Sequence, residues 1–251
     1  MKIKKTIIIF ILIIFLTMFI YSLFNIISYI NDNKENKKIQ QELSKSIVVV
    51  NNDLKTEVDN NMLEYKIDFE SLKEQNSDTV AYLKVNNTEI NYIVVKGKDN
   101  SYYLNHNFNK KYNISGWIFA DYHNKFDETD KNIVIYGHNT KDGSMFGSLK
   151  NILNKDWYEN EDNRLVVLVT ENNIYYYEVF SIYTTEIEDY YINTIFNEKE
   201  YEEFVNKIKS RSIYNYNIDV TSNDKILTLS TCSSNGKKRL VLHAKLKDKF
   251  Y

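Results

Sequence analysis

The chain carries a single cysteine, Cys232, among its 251 residues. One thiol excludes an internal disulfide and a cysteine-based zinc cluster, leaving a buried thiol, a reactive thiol or an intermolecular link. Net charge is scarce too, because 32 Lys+Arg nearly cancel 34 Asp+Glu to give -2. With no global field to draw in a polyanion, nucleic acid is not an expected partner. Proline is absent and glycine limited to 6, while tyrosine reaches 21. That skew has the look of biased coding DNA and assigns no function. The 43% hydrophobic and 26% charged residues that are present form a globular proportion, which excludes disorder throughout.

Residues 7–20, IIIFILIIFLTMFI, contain one polar interruption, Thr17, and Tyr21, Leu23, Phe24, Ile26 and Ile27 extend the apolar character. A helix of ~20 residues crosses the ~30 Å hydrocarbon core. This run exceeds the apolar region of an ordinary secretory signal, and no small-residue cleavage pattern follows Ile30, so the segment reads as an uncleaved anchor. Lys2, Lys4 and Lys5 precede it, while the residues after it mix both signs, which puts the N-terminus in the cytoplasm and the rest outside. No second apolar run follows, so a single crossing is expected. The expected organisation is residues 1–5 cytoplasmic, 6–30 transmembrane, 31–67 a helical or linker region and 68–251 an extracellular domain.

Within 31–63 the apolar positions Leu43, Ile47, Val50, Leu54, Val58 and Met62 recur every three or four residues. That spacing predicts one helix with an apolar stripe, either packed on the domain or a solvated stalk. A second helix is expected over 68–75, capped by Asp68. Short β-type runs then follow at 80–85, 90–96, 116–120, 132–136, 165–170, 174–184, 225–231 and 239–246. Helical patterns interrupt them at 145–153 and 197–211. About eight strands with two inserted helices suggest a mainly β fold with one closed, mostly antiparallel sheet.

The search for chemistry is short with one cysteine and four histidines. A thiolate is the reactive form and needs a base or cation nearby. Cys232 ends the strand-like KILTLSTC and precedes the loop residues Ser233, Ser234, Asn235 and Gly236. A buried structural thiol is the competing reading, since free cysteine is among the most buried residue types. His138 similarly ends NIVIYGH, so the two reactive groups could meet at one rim of a barrel. His106 and His123 lie in polar loops and read as solvated; His243, inside the last strand, reads as packed or face-exposed. None has the i, i+4 spacing of a helix-borne metal pair, so neither a metal nor another cofactor is expected. Arg239 opens RLVLHAKL, where a tight antiparallel connection would face it to Cys232. Its guanidinium could donate fixed hydrogen bonds to an oxyanion, or it could be one more surface cation beside Lys237 and Lys238.

The segments KNIVIYGHNTKDGSMFGSLKNI (131–152) and ILTLSTC with RLVLHAKL (226–246) resemble the histidine and cysteine–arginine motifs of class B sortases, membrane-anchored cysteine transpeptidases of Gram-positive bacteria. DNSYYLNHNF (99–108) and GWIFADY (116–122) extend the resemblance in the same order over residues 68–246. It implies a closed sortase-type β-barrel with N-terminal helices and an inserted helix before the cysteine strand. It matches the nucleophile to Cys232, the general acid/base to His138 and the arginine to Arg239. It also matches substrate contacts to Asn100, Leu104 and Ser230 and, more loosely, to Tyr191 and Ile192.

The implied reaction cleaves an NPxTG- or SPxTG-like sorting signal after threonine through a thioacyl enzyme. The implied partners are secreted proteins bearing that signal and a peptidoglycan precursor or cross-bridge amine. The connection from Cys232 to Arg239 is short for class B, and Ser234 stands where the family can carry an acid. A hydrolase using the same Cys-His chemistry, or a non-catalytic surface-binding module with a packed Cys232, would fit the residues without the resemblance.

Overall fold

The structure, a computed structural model, describes residues 2–50, 64–232 and 237–250, with Cys232 described through its backbone. It opens with α1 (Lys2–Leu43), a helix whose side chains from residue 7 to residue 27 are all exposed. By length and composition α1 suffices to cross a membrane.

The far end of α1 is different, because Ile39 and Leu43 are buried against the barrel and Asn33 and Asn36 are buried with them. Asn36 Nδ2 lies 3.0 Å from both Asn113 Oδ1 and the Gly116 carbonyl, and Gln40 donates to the Asn91 carbonyl. One continuous helix therefore carries both the apolar segment and the docking segment.

The helix expected across 31–63 stops at Leu43. After a 3-10 turn, Ser44–Ser46, the chain becomes β1 (Ile47–Val50), paired antiparallel with β2 (Glu64–Ile67) in a separate two-stranded sheet. The β-branched run Ile-Val-Val-Val favours an extended backbone, and its partner strand lies too far along the chain for local periodicity to register. The rest of the expected stripe, 51–63, lies outside the described residues. Helix α2 (Phe69–Gln75) forms as expected, with the Asp68 carboxylate accepting from Ser71 N at 3.0 Å.

Eight strands close the barrel: β3 (Thr79–Val85), β4 (Asn91–Val95), β5 (Phe119–Ala120), β6 (Asn132–Gly137), β7 (Leu165–Val169), β8 (Ile174–Glu186), β9 (Ile226–Cys232) and β10 (Lys238–Phe250). Their order around the barrel is β10-β8-β7-β3-β4-β5-β6-β9, with β9 returning to β10. The pairings are antiparallel except β4 with β5 and β6 with β9, so the sheet is mixed and mostly antiparallel as the sequence suggested. Trp117, Phe108, Tyr103 and Phe119 are among the large side chains filling the core.

The expected strand at 116–120 shrinks to β5, since Gly116 takes φ +55 and a Cβ there would lie 2.3 Å from the Tyr103 carbonyl. The helical pattern at 145–153 becomes a 3-10 segment, Gly147–Leu153, followed by the short α3 (Lys155–Glu159).

Helix α4 (Glu198–Ser210) precedes the cysteine strand. It starts with a capping box in which Asn197 accepts from Glu200 N and Glu200 accepts from Asn197 N. Tyr201, Phe204, Val205 and Ile208 form its buried stripe against Phe180, Tyr183 and Val241 of β8 and β10. At ~1.5–3 kcal/mol per buried side chain, this stripe and not helix propensity is what holds α4 to the barrel.

Candidate active site

Three neighbouring strands end at the same rim. The parallel register of β6 and β9 sets Gly137 opposite Thr231, so His138 and Cys232 are the next residues of their strands at that rim. In the antiparallel pair, Cys232 faces Arg239 directly. The sequence expectation that Cys232 and Arg239 meet across a tight connection thus corresponds to the backbone register; the connection itself, 233–236, lies outside the described residues.

Glycine is required just before the histidine. A Cβ on Gly137 would lie 2.5 Å from Ile118 Cδ1 and 2.7 Å from Phe146 Cγ, so any side chain would push β6 off its neighbours. The loop after His138 folds back on itself, with Phe146 N donating to the His138 carbonyl at 3.0 Å.

A cavity of ≈ 250 Å³ opens at this rim. Asn100, Leu104, His138, Tyr191, Ile192, Ser230 and Arg239 all line it, so every candidate whose side chain is described reaches one space. His106, His123 and His243 stay outside. Phe119 and Tyr136 add aromatic walls, and Ile187, Glu188 and Asp189 form a side that sequence reasoning missed, having singled out only Tyr191 and Ile192 of that segment.

His138 Nε2 lies 2.7 Å from the Leu104 carbonyl. A carbonyl can only accept, so Nε2 carries a hydrogen and Nδ1 is the ring nitrogen left for proton exchange. Arg239 Nη1 donates to the Lys238 carbonyl at 3.2 Å, which steadies a half-buried guanidinium at the cavity wall.

Behind the wall, Asn100 donates from Nδ2 to Asp121 Oδ2 at 2.7 Å and accepts from Tyr122 N at 3.0 Å. The same carboxylate oxygen accepts from Tyr136 OH at 2.8 Å. Burial, with Asp121 beside it, pushes the Tyr136 phenol far above its usual range and keeps it protonated. Asp121, only 3% exposed, is therefore the post on which Asn100 and Tyr136 hang. It was not singled out from the sequence, although a carboxylate closing the apolar run of GWIFADY was the available signal. Ser230 and Tyr191 are both buried, with their hydroxyls 3.5 Å apart, which ties β9 to the far wall.

The remaining histidines separate by surroundings. His106 stacks on Tyr102 at 4.0 Å with Nδ1 2.8 Å from the Tyr102 carbonyl, so it is more packed than a polar loop suggested. His123 Nδ1 lies 2.8 Å from Asp121 Oδ1. His243 is fully buried between Thr228 Oγ1 at 2.8 Å and Tyr183 OH at 2.9 Å, the packed one of its two readings. Burial alone drives its imidazole down to about 3, so it is neutral and internal.

A sortase-domain profile matches residues 83–247. Sortase B of Listeria monocytogenes is 39% identical over 221 residues, covering 84% of this chain and 86% of that protein. Sortase B of Staphylococcus aureus is 37% identical over 182 residues, covering 71% and 74%. Among solved structures, sortase B from B. anthracis in complex with AAEK1 superposes with a TM-score of 0.73 at 36% identity, covering 86% of this chain and 98% of that one. The closed eight-stranded barrel agrees with these relatives, and the chain belongs to the sortase family as a class B member, a cysteine transpeptidase that processes sorting signals.

Proposed function

We propose that Cys232 is the nucleophile, His138 the general acid/base and Arg239 the oxyanion donor, acting on an NPxTG- or SPxTG-like signal. The observation that carries this assignment is the register that brings these three strand ends to one rim, with His138 and Arg239 lining the same cavity. Among the similar solved structures are a Staphylococcus aureus sortase B–substrate complex and a sortase B complexed with triglycine, which support a peptide signal and an amine as the two reactants here.

The Cys232 thiol gives its proton to Nδ1 of His138, and the resulting thiolate attacks the threonine carbonyl carbon, so that the C=O electron pair moves onto oxygen, where the guanidinium stabilises it without changing its own charge. When the tetrahedral species collapses, the C–N bond breaks and the leaving amine takes a proton from the histidine. A peptidoglycan amine then attacks the thioester, gives its surplus proton back to the imidazole and expels the thiolate. With Nε2 on the Leu104 carbonyl, Nδ1 is the ring nitrogen left to exchange that proton. Asn100, Leu104, Ser230, Tyr191 and Ile192 would grip the signal along the groove.

The apolar part of α1, within residues 6–30, serves as the transmembrane anchor, with residues 1–5 in the cytoplasm and residues 68–251 outside as the catalytic domain, joined through 31–67. A length-and-composition match to a membrane span, and lysines clustered at residues 2–5, support this orientation.

The test is mass spectrometry of the protein after incubation with NPxTG, SPxTG and PPxTG peptides, with and without an added amine. A thioacyl adduct on Cys232 with cleavage after threonine is expected, together with a ligated product that depends on the amine. Hydrolysed peptide alone at saturating diaminopimelate and oligoglycine amines would point instead to a peptidase.

A further inference from the structure

The last apolar turn of α1 ends at Ile30, and the residues just beyond it are already bonded to the barrel. Asp32 Oδ2 accepts from Ile114 N at 2.8 Å, the Asp32 carbonyl accepts from Asn113 Nδ2 at 3.0 Å, and Ser115 donates to Asn33. Tyr29, still inside the apolar segment, accepts from Lys141 N through its hydroxyl at 3.0 Å.

A helix rises 1.5 Å per residue, so Asp32 stands ~3 Å beyond Ile30 along the axis. The polar layer outside the hydrocarbon core is ~5–7 Å deep on each side. A loop hydrogen-bonded to Asp32 is therefore held at the depth of that layer if Ile30 marks the edge of the core.

The composition of this loop fits the depth. Tyr112 is 69% exposed and Ile114 47% exposed, with Lys110 and Lys111 directly before them. The Tyr112 ring lies edge-on to His106 at 6.3 Å, and His106 stacks on Tyr102, so the loop ends in a small aromatic shelf. Amphipathic rings, an aliphatic side chain and lysines are the groups that settle at a headgroup layer. The local carboxylates are engaged: Asp78 pairs with Lys110 at 2.8 Å, and Asp32 holds Ile114 N.

From this geometry we propose that residues 110–114 form a second membrane contact, seating Tyr112 and Ile114 in the lipid headgroup layer beside the anchor. This rests on α1 being the transmembrane anchor. It fixes the site as well as the domain, because Gly116 packs where a Cβ would lie 2.7 Å from the Leu104 carbonyl, and that carbonyl holds His138. The Leu104 side of the groove thus rides at the bilayer surface.

The experiment uses the full chain reconstituted in vesicles of equal parts phosphatidylcholine and phosphatidylglycerol containing lipids with a nitroxide near the headgroup. Tryptophan fluorescence is read in Tyr112→Trp, in Ile114→Trp as an independent reporter, and in Ile195→Trp as the distant control, after subtracting the parent's buried Trp117 and Trp157. Ile195 is 70% exposed and lies near Asn193, whose carbonyl is held by Asn132 at the other end of β6, ~17 Å from Gly137. Quenching at 112 and 114 should exceed that at 195 by about twofold or more. Equal quenching at all three positions, with the protein resisting alkaline extraction, would overturn the loop contact and leave the anchor standing. Extraction of the parent protein by alkali would remove the anchor reading and this inference together.

Discussion

At the scale of single residues, the side chains with parts in the chemistry differ sharply in how replaceable they are. Cys232→Ala should lower turnover of a cleaved signal peptide by more than ~10³-fold, since only binding and oxyanion effects remain without the nucleophile. Undiminished turnover would reject the assignment. Arg239→Lys keeps the charge and loses the planar fork, so kcat/KM should fall severely while the fold, read by circular dichroism, is unchanged. His243 makes a different prediction. Its folded-state value near 3 lies below the ~6.5 of an unfolded histidine, so between those limits the unfolded chain binds the extra proton. Stability is therefore full above that window and falls on acidification by up to ~1.4 kcal/mol per pH unit from this group. Denaturant titrations at pH 7 and pH 5 should show the loss, and His243→Gln, which has no proton to gain, should flatten the slope. Chemical identity made His138, Cys232 and Arg239 legible in the sequence; Asp121 was not, because its part comes from what folds against it.

At the scale of elements, what could be read was whatever local pattern determines. The capped helices α2 and α4 and most of the strands stand within a residue or two of the expected bounds, because caps and turn residues are local signals. The parallel pairing of β6 with β9 that sets His138 beside Cys232 was not readable, since its register depends on residues about ninety positions apart. The helix expected over 31–63 ends at Leu43 and gives way to a strand from Ile47 for the same reason, a distant partner strand outweighing local spacing. Gly137 shows how an element serves the site. Gly137→Ala must displace Ile118 and Phe146, so β6 should shift at its histidine end at a cost of ~1–3 kcal/mol. A drop in melting temperature together with a fall in kcat/KM larger than that of a comparably destabilised core variant, such as Ile152→Val, is the expected result. Equal falls in both variants would mean that the glycine serves stability alone.

At the scale of the whole molecule, α1 and the barrel form one piece, because the helix that carries the apolar segment also supplies part of the domain's core. Ile39 and Leu43 bury their side chains there, and Asn36 satisfies the Gly116 carbonyl next to the loop that supports Leu104. Two buried apolar side chains at ~1.5–3 kcal/mol each and the six hydrogen bonds of Asp32, Asn33, Asn36 and Gln40, each near 1 kcal/mol, give ~9–12 kcal/mol as an upper bound. A chain beginning at residue 31 keeps all of these contacts and sheds the exposed apolar segment with only the Tyr29–Lys141 hydrogen bond, so it should be soluble and nearly as stable as the full domain. A chain beginning at residue 46 loses them and leaves the Gly116 and Asn91 carbonyls without their helix donors. Its melting temperature should fall by several degrees, and because Gly116 braces Leu104, and Leu104 braces His138, its turnover on a soluble signal peptide should fall as well. Thermal unfolding and peptide cleavage measured on the two chains side by side decide the matter: equal melting temperatures would show that the docked turns of α1 contribute nothing to the barrel, whereas a lower melting temperature with unchanged kcat/KM would confine their role to stability and break the proposed link from anchor to histidine.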